Sequence, residues 1–126
     1  MIESAPKKRL MIVDDEESLP EVVRYLLQGL ALEIESFTHA DEALNAALAR
    51  DFDLILTDFT MPEMTGEDMI VRIQESKPAR KPQVIFMTGS VTVPVTKLPP
   101  ESYRLLSKPF DKKDLFEILK GWVPGL

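Results

Sequence analysis

Five residues carry the chemistry open to this sequence: Asp14 and Asp15 in IVDDEE, Asp58 in LILTDFTMPEMTG, Thr88 in FMTGS and Lys108 in LLSKPF. Each follows or ends a short apolar run, where a buried strand gives way to a loop. In open α/β sheets, functional groups gather beyond the carboxyl ends of the strands. Three carboxylates, one hydroxyl and one ammonium then face a single crevice. Carboxylates that close repel one another, and one must take up a proton unless a cation sits among them. Oxygen ligands without imidazole or thiolate select a hard ion, and two or three carboxylates with open positions suit Mg²⁺ better than a full Ca²⁺ cage. A carboxylate beside such an ion can attack phosphorus. The metal, Lys108 and the Thr88 hydroxyl can neutralise the oxygens of the transferring group. The chemistry that fits is phosphoryl transfer onto an aspartate.

That crevice requires a parallel sheet. Leu10–Val13, Asp53–Asp58, Val84–Met87 and Arg104–Ser107 are short apolar runs of the kind buried on both faces of such a sheet, and Glu33–Phe37 alternates as a more exposed strand. Between them, Val22, Val23, Leu26, Leu27 and Leu30 recur at helical spacing, with Ser18 as cap, Pro20 in the first turn and Gly29 near the end. Asp41–Arg50 is helical by propensity. Thr65 caps a helix over Gly66–Ser76, and Lys112–Val123 forms the last helix, stopped by Pro124-Gly125. Strands alternating with helices mean right-handed βα units. The predicted fold is α/β, a doubly wound, flavodoxin-like, five-stranded parallel sheet in the order 2-1-3-4-5.

Composition narrows the function. The 126 residues contain no Cys and one His, which removes disulfides, thiolate metal sites and any multi-His centre. The net charge of −6 argues against nucleic acid and anionic membranes as partners. No apolar run approaches the roughly 20 residues of a membrane span, and the charged N-terminus has no signal-peptide core. A reducing, cytoplasmic setting is expected.

Taken together, these positions resemble a response-regulator receiver domain of two-component signalling, across about residues 9 to 123; residues 1–8 read as a tail and 124–126 as the chain end. The matching residues are the acidic pair in IVDDEE, Asp58 in LTDFTMPEMTG, Thr88 in FMTGS and Lys108 in SKPF. The resemblance implies that Asp58 accepts the phosphoryl group. It implies that Asp15 and Asp58 ligate Mg²⁺ (or Mn²⁺) directly, with the backbone carbonyl of Thr60 as a third protein ligand and Asp14 acting mainly through water. Thr88 and Lys108 would contact the phosphoryl oxygens, and the Lys108–Pro109 bond would be cis. A histidine kinase or histidine phosphotransfer protein would supply the phosphoryl group, and a downstream protein would read it. The chain would catalyse only its own phosphorylation and dephosphorylation, as a monomer or weak dimer. It would be a stand-alone regulator or a receiver cut from a hybrid kinase or longer regulator.

Competing readings fit less well. An FMN site needs a hydroxyl- and glycine-rich loop after the first strand, and DDEES repels phosphate. A haloacid-dehalogenase-type phosphatase wants a second Asp two residues after the nucleophile, where Thr60 stands. A pseudo-receiver that serves only as a binding module typically lacks the acceptor Asp or the Lys, and both are present. His39 has no neighbouring motif and reads as a surface residue, and Trp122 as packing of the last helix.

Two features depart from the family. Pro94, Pro99, Pro100 and a β-branched run from Val91 to Thr96 disfavour a regular helix between strands four and five, so that helix is expected to be short or irregular. Three positions before Lys108, where the family places an aromatic residue, stands Leu105. Tyr103 lies two residues earlier on the same strand face. Activation is therefore expected to act mainly on residues 90 to 103.

Overall fold

The computed structural model describes residues 7–89 and 95–126. Its elements are β1 (Lys8–Val13), α1 (Ser18–Leu26), β2 (Leu32–Phe37), α2 (Ala40–Ala49), β3 (Leu54–Asp58), α3 (Gly66–Glu75), β4 (Gln83–Thr88), a 3₁₀ turn (Pro100–Ser102), β5 (Tyr103–Ser107) and α4 (Lys112–Leu119). The five strands form one parallel sheet in the order β2-β1-β3-β4-β5, as expected. Register keeps the carboxyl ends level: Val13 pairs with Thr57, Asp58 with Met87 and Thr88 with Ser107. The loops after β1, β3, β4 and β5 therefore start side by side.

Strand alternation divides the core. Met11, Val13, Ile55, Val84 and Phe86 pack with α2 and α3 on one face. Leu10, Ile12, Leu54, Leu56, Ile85, Met87 and Leu106 pack with α1 and α4 on the other. The central strands are apolar throughout because both of their faces are covered.

Several boundaries differ from the sequence reading. β1 begins at Lys8, inside the expected tail, and α2 begins at Ala40 with His39 as its N-cap. The α1 cap is Glu17 rather than Ser18, whose hydroxyl donates to the Glu16 side chain instead. α1 stops at Leu26, short of Leu30, because the chain turns through Gly29 at φ 87°, a left-handed conformation that glycine adopts without steric cost. α4 likewise stops at Leu119, short of Val123, and Gly121 carries the same reversal at φ 85°. Thr65 caps α3 as predicted, accepting from the Asp68 N–H at 3.0 Å.

Between β4 and β5 the only helical turn among the described residues is Pro100–Ser102. Residues 90–94, part of the segment expected to form only a short or irregular helix, lie outside the described residues. Leu98 is buried in the same core cluster as Phe86, whereas Leu105, beside Phe86 in the sheet register, is left 45% exposed. Tyr103 lies on that face too, its ring centroid 5.5 Å from that of Phe86.

Two polar contacts secure the far end of the sheet and the last helix. Asp53 joins three strand starts: its carboxylate accepts from the Arg9 N–H (2.8 Å) and from Arg80 (2.7 Å), while its carbonyl accepts from the Gln83 N–H (2.9 Å). Burial alone would raise the Asp53 pKa, but the Arg9 and Arg80 donors outweigh it and hold the carboxyl below its ordinary range. Asp53→Asn should therefore cost about 1–2 kcal/mol at neutral pH. Because the folded pKa is depressed, this stabilisation is complete above the unfolded carboxylate pKa and is lost as pH falls through the folded value. Urea melts across that range check it; a wild-type advantage that does not shrink in acid would contradict the assignment. At the other edge, the Arg104 guanidinium donates to the carbonyl of Ile118 at the end of α4 and lies 3.6 Å over the Trp122 ring.

Candidate functional site

The crevice at the carboxyl end of the sheet is built from four strand ends. Asp14 directly follows β1 and is fully buried. Its main-chain N–H donates to Phe37, one carboxylate oxygen accepts from the Glu16 N–H (2.8 Å), and the other accepts from Lys108 Nζ (2.6 Å). Asp15 is exposed beside it. Asp58 closes β3, its side chain largely sheltered. Carboxylate oxygens of Asp14, Asp15 and Asp58 lie within 4.8 Å of one another. Lys108 Nζ also stands 3.6 Å from Asp58 Oδ1. The Lys108 N–H donates to the Thr88 carbonyl at 2.7 Å, so the backbones of β4 and β5 are tied where their functional side chains begin. Thr88 itself is buried. The Lys108–Pro109 bond is cis, as the resemblance implied.

One ammonium faces three carboxylates, which leaves the crevice acidic. The Asp58 carboxyl is raised above its ordinary pKa, first by burial and then by the Asp14 and Asp15 charges, with Lys108 and the Thr60 N–H pulling the other way. Burial works against the Lys108 ammonium, yet the Asp14 hydrogen bond and the surrounding carboxylates raise its pKa above the usual lysine value. Lys108 is a fixed cation at neutral pH. A set of three carboxylates with too few counter-charges and no imidazole has the chemistry of a hard divalent-cation site. Asp14, Asp15, Asp58 and Lys108 are thus brought together, with Thr88 in the adjacent register position. Thr60 lies just past Asp58 on the exposed loop, and its N–H serves the Asp58 carboxylate. His39 stands apart from the acidic cluster and faces Glu42, at 4.0 Å.

Three residues of this neighbourhood escaped the sequence reading. Glu63 accepts from the Ala40 N–H at 3.1 Å and so ties the loop after Asp58 to the start of α2. Glu67 is a buried carboxylate in the first turn of α3. Gly66 begins α3 so close to β3 that a Cβ there would lie 2.5 Å from the Asp58 carbonyl oxygen, while its N–H donates to the Phe59 carbonyl at 2.7 Å. Nothing in a one-dimensional pattern marks such a close approach; a glycine after MPEMT reads only as a turn. Gly66→Ala must push α3 off the Asp58 backbone, at about 1–3 kcal/mol. It should also slow chemistry at Asp58 although every carboxylate remains. A variant as stable as wild type in a denaturant melt would contradict this contact.

Comparison with known proteins decides the family. Residues 10–120 match the model of the response regulator receiver domain. The chain belongs to that family. The receiver is 29% identical over 110 residues to the response regulator receiver protein CpdR of Brucella abortus, covering 86% of this chain and 90% of that protein. It is 29% identical over 117 residues to the probable transcriptional regulator ycf29 of Pyropia yezoensis, covering 91% of this chain but 53% of that one, so it spans about half the length of that relative. Among solved structures, the chemotaxis protein CheY4 of Vibrio cholerae superposes with a TM-score of 0.73 at 30% identity, covering 90% of this receiver and 96% of that chain. The family is one of signalling proteins and not a classical enzyme family. Among the described residues no helix is long and apolar enough to cross a membrane.

Proposed function

We propose that this receiver is a Mg²⁺-dependent phospho-acceptor switch in which Asp58 takes the phosphoryl group from a phosphohistidine of a partner histidine kinase or phosphotransfer protein. The observation that carries the reading is the Asp58 carboxylate held among two further carboxylates and 3.6 Å from the Lys108 ammonium. Asp15, Asp58 and the Thr60 carbonyl would hold the ion directly, with Asp14 acting through water. Bound Mg²⁺ supplies positive charge against the clustered carboxylates and the phosphoryl oxygens. An Asp58 oxygen attacks phosphorus as the P–N bond breaks, and the departing imidazole keeps the bonding electron pair. Lys108 meets the charge on the transferred oxygens, and the Thr88 hydroxyl donates to one of them. Its connection to Asp14 gives the Lys108 ammonium a fixed starting position, from which it turns toward the new charge when the phosphoryl group arrives.

The phosphorylated domain then signals to a downstream protein by contact, in a cytoplasmic setting, as a monomer or weak dimer. Incubation with acetyl phosphate and Mg²⁺ tests the chemistry without a known kinase. A mass gain of one phosphoryl group, removed by hydroxylamine and mapped to the peptide containing Asp58, is the expected result. Labelling on another residue, or none, would overturn the reading.

A further inference from the structure

Thr96 and Lys97 lie where the connection from β4 returns toward β5, and both of their main-chain N–H groups converge on one oxygen of Glu67, at 2.9 and 2.7 Å. Glu67 is 5% exposed. A buried carboxylate with two main-chain donors makes strong, charge-assisted hydrogen bonds. The exposed Lys97 ammonium adds an ion pair to Asp68 at 2.7 Å, which screening by water makes minor. Leu98 follows directly and is buried over the core. Thr96, Lys97 and Leu98 are therefore fastened to the first turn of α3 and not to a helix of their own.

That same turn bears on Asp58. Gly66, the residue before Glu67, packs against the Asp58 carbonyl with no room for a Cβ. A shift of the Asp58 carbonyl toward α3 meets the Gly66 backbone at once. Asp58, Gly66, Glu67 and the Thr96–Lys97 amides form a continuous chain of hard contacts from the acceptor to the surface. We propose that Glu67 is the latch of this receiver: it couples the state of Asp58 to residues 95–98 through the first turn of α3, in a domain whose Leu105 is exposed and whose β4–β5 connection carries only a single 3₁₀ turn among its described residues. The proposal rests on Asp58 being the acceptor.

Amide hydrogen exchange at Thr96 and Lys97 reads the latch directly, with beryllofluoride and Mg²⁺ as the phosphoryl probe and ¹⁹F NMR reporting whether the probe binds. In the resting protein, Glu67→Ala should exchange these two amides about tenfold faster or more, and Glu67→Gln, which keeps an acceptor but not the charge, by a smaller factor. On adding the probe, wild type should change its exchange at residues 95–98. Glu67→Ala should bind the probe equally yet show no change there. Unaltered resting exchange in both variants, or an equal response to the probe with and without Glu67, would overturn the latch. If Glu67→Ala does not fold, Glu67→Gln carries both comparisons, with a resting acceleration and a diminished response expected. Absence of a bound-fluoride signal in wild type would instead overturn the acceptor reading, and the coupling with it.

Discussion

Asp58→Asn should retain less than about one hundredth of the wild-type rate of labelling by acetyl phosphate, because the amide has no anionic oxygen to attack phosphorus. The change is nearly isosteric, so the fold should persist. Without metal it should be no less stable than wild type, since one of three crowded carboxylate charges disappears from the crevice. Intact-protein mass spectrometry and a thermal melt measure the two effects. Undiminished labelling would place the acceptor elsewhere. A collapse of the melt would mean that Asp58 holds the crevice together and does not serve as its reactive group.

The second large effect concerns the neighbouring pair. Asp14 is already engaged, with one oxygen on Lys108 and the other on the Glu16 N–H, whereas no hydrogen bond or ion pair engages the exposed Asp15 carboxylate among the described residues. Asp15 is thus the one that can turn onto a cation without breaking anything. Asp15→Ala should raise the Mg²⁺ concentration needed for half-maximal labelling by about tenfold or more and leave stability nearly unchanged. Asp14→Ala should shift the metal requirement less but destabilise the fold, because it strips the partly buried Lys108 ammonium of its closest partner. Titrating Mg²⁺ against labelling separates the two variants, and excess EDTA should extinguish labelling in wild type. Labelling that survives EDTA, or an Asp14→Ala variant with the larger metal defect, would reverse these assignments.

Much of this site was legible because it depends on strand ends, and strand ends are what short apolar runs reveal best. Leu54-Ile55-Leu56 has to be a buried strand, so Asp58 has to emerge at the carboxyl end of the sheet, and the same holds for Asp14 and Lys108. That the described part of the β4–β5 connection carries only a 3₁₀ turn was legible from its prolines. What stayed hidden depends on distances between segments remote in sequence. Glu67 in a first helical turn looks like a charge placed for the helix dipole, and only tertiary packing shows it reaching across to the Thr96 and Lys97 amides. Gly66 looks like a turn former, and its closeness to Asp58 arises from how α3 docks. The ends of α1 and α4 were overrun because Leu30, Trp122 and Val123 continue the apolar pattern past glycines that reverse the chain; periodicity records burial, and a residue after a turn can be as buried as one within a helix.

The stack of Arg104 on Trp122 has an optical consequence. Trp122 is the sole tryptophan of the chain, so all indole emission originates where β5 meets the end of α4. A guanidinium 3.6 Å from the ring shapes that emission, and the same side chain donates to the carbonyls of Ile118 in the helix and Lys120 just past its end. Fluorescence excited in the indole band therefore monitors a single joint of the molecule, four residues along the strand from Lys108. It distinguishes release of the terminal helix from events in the acidic crevice without any label being attached.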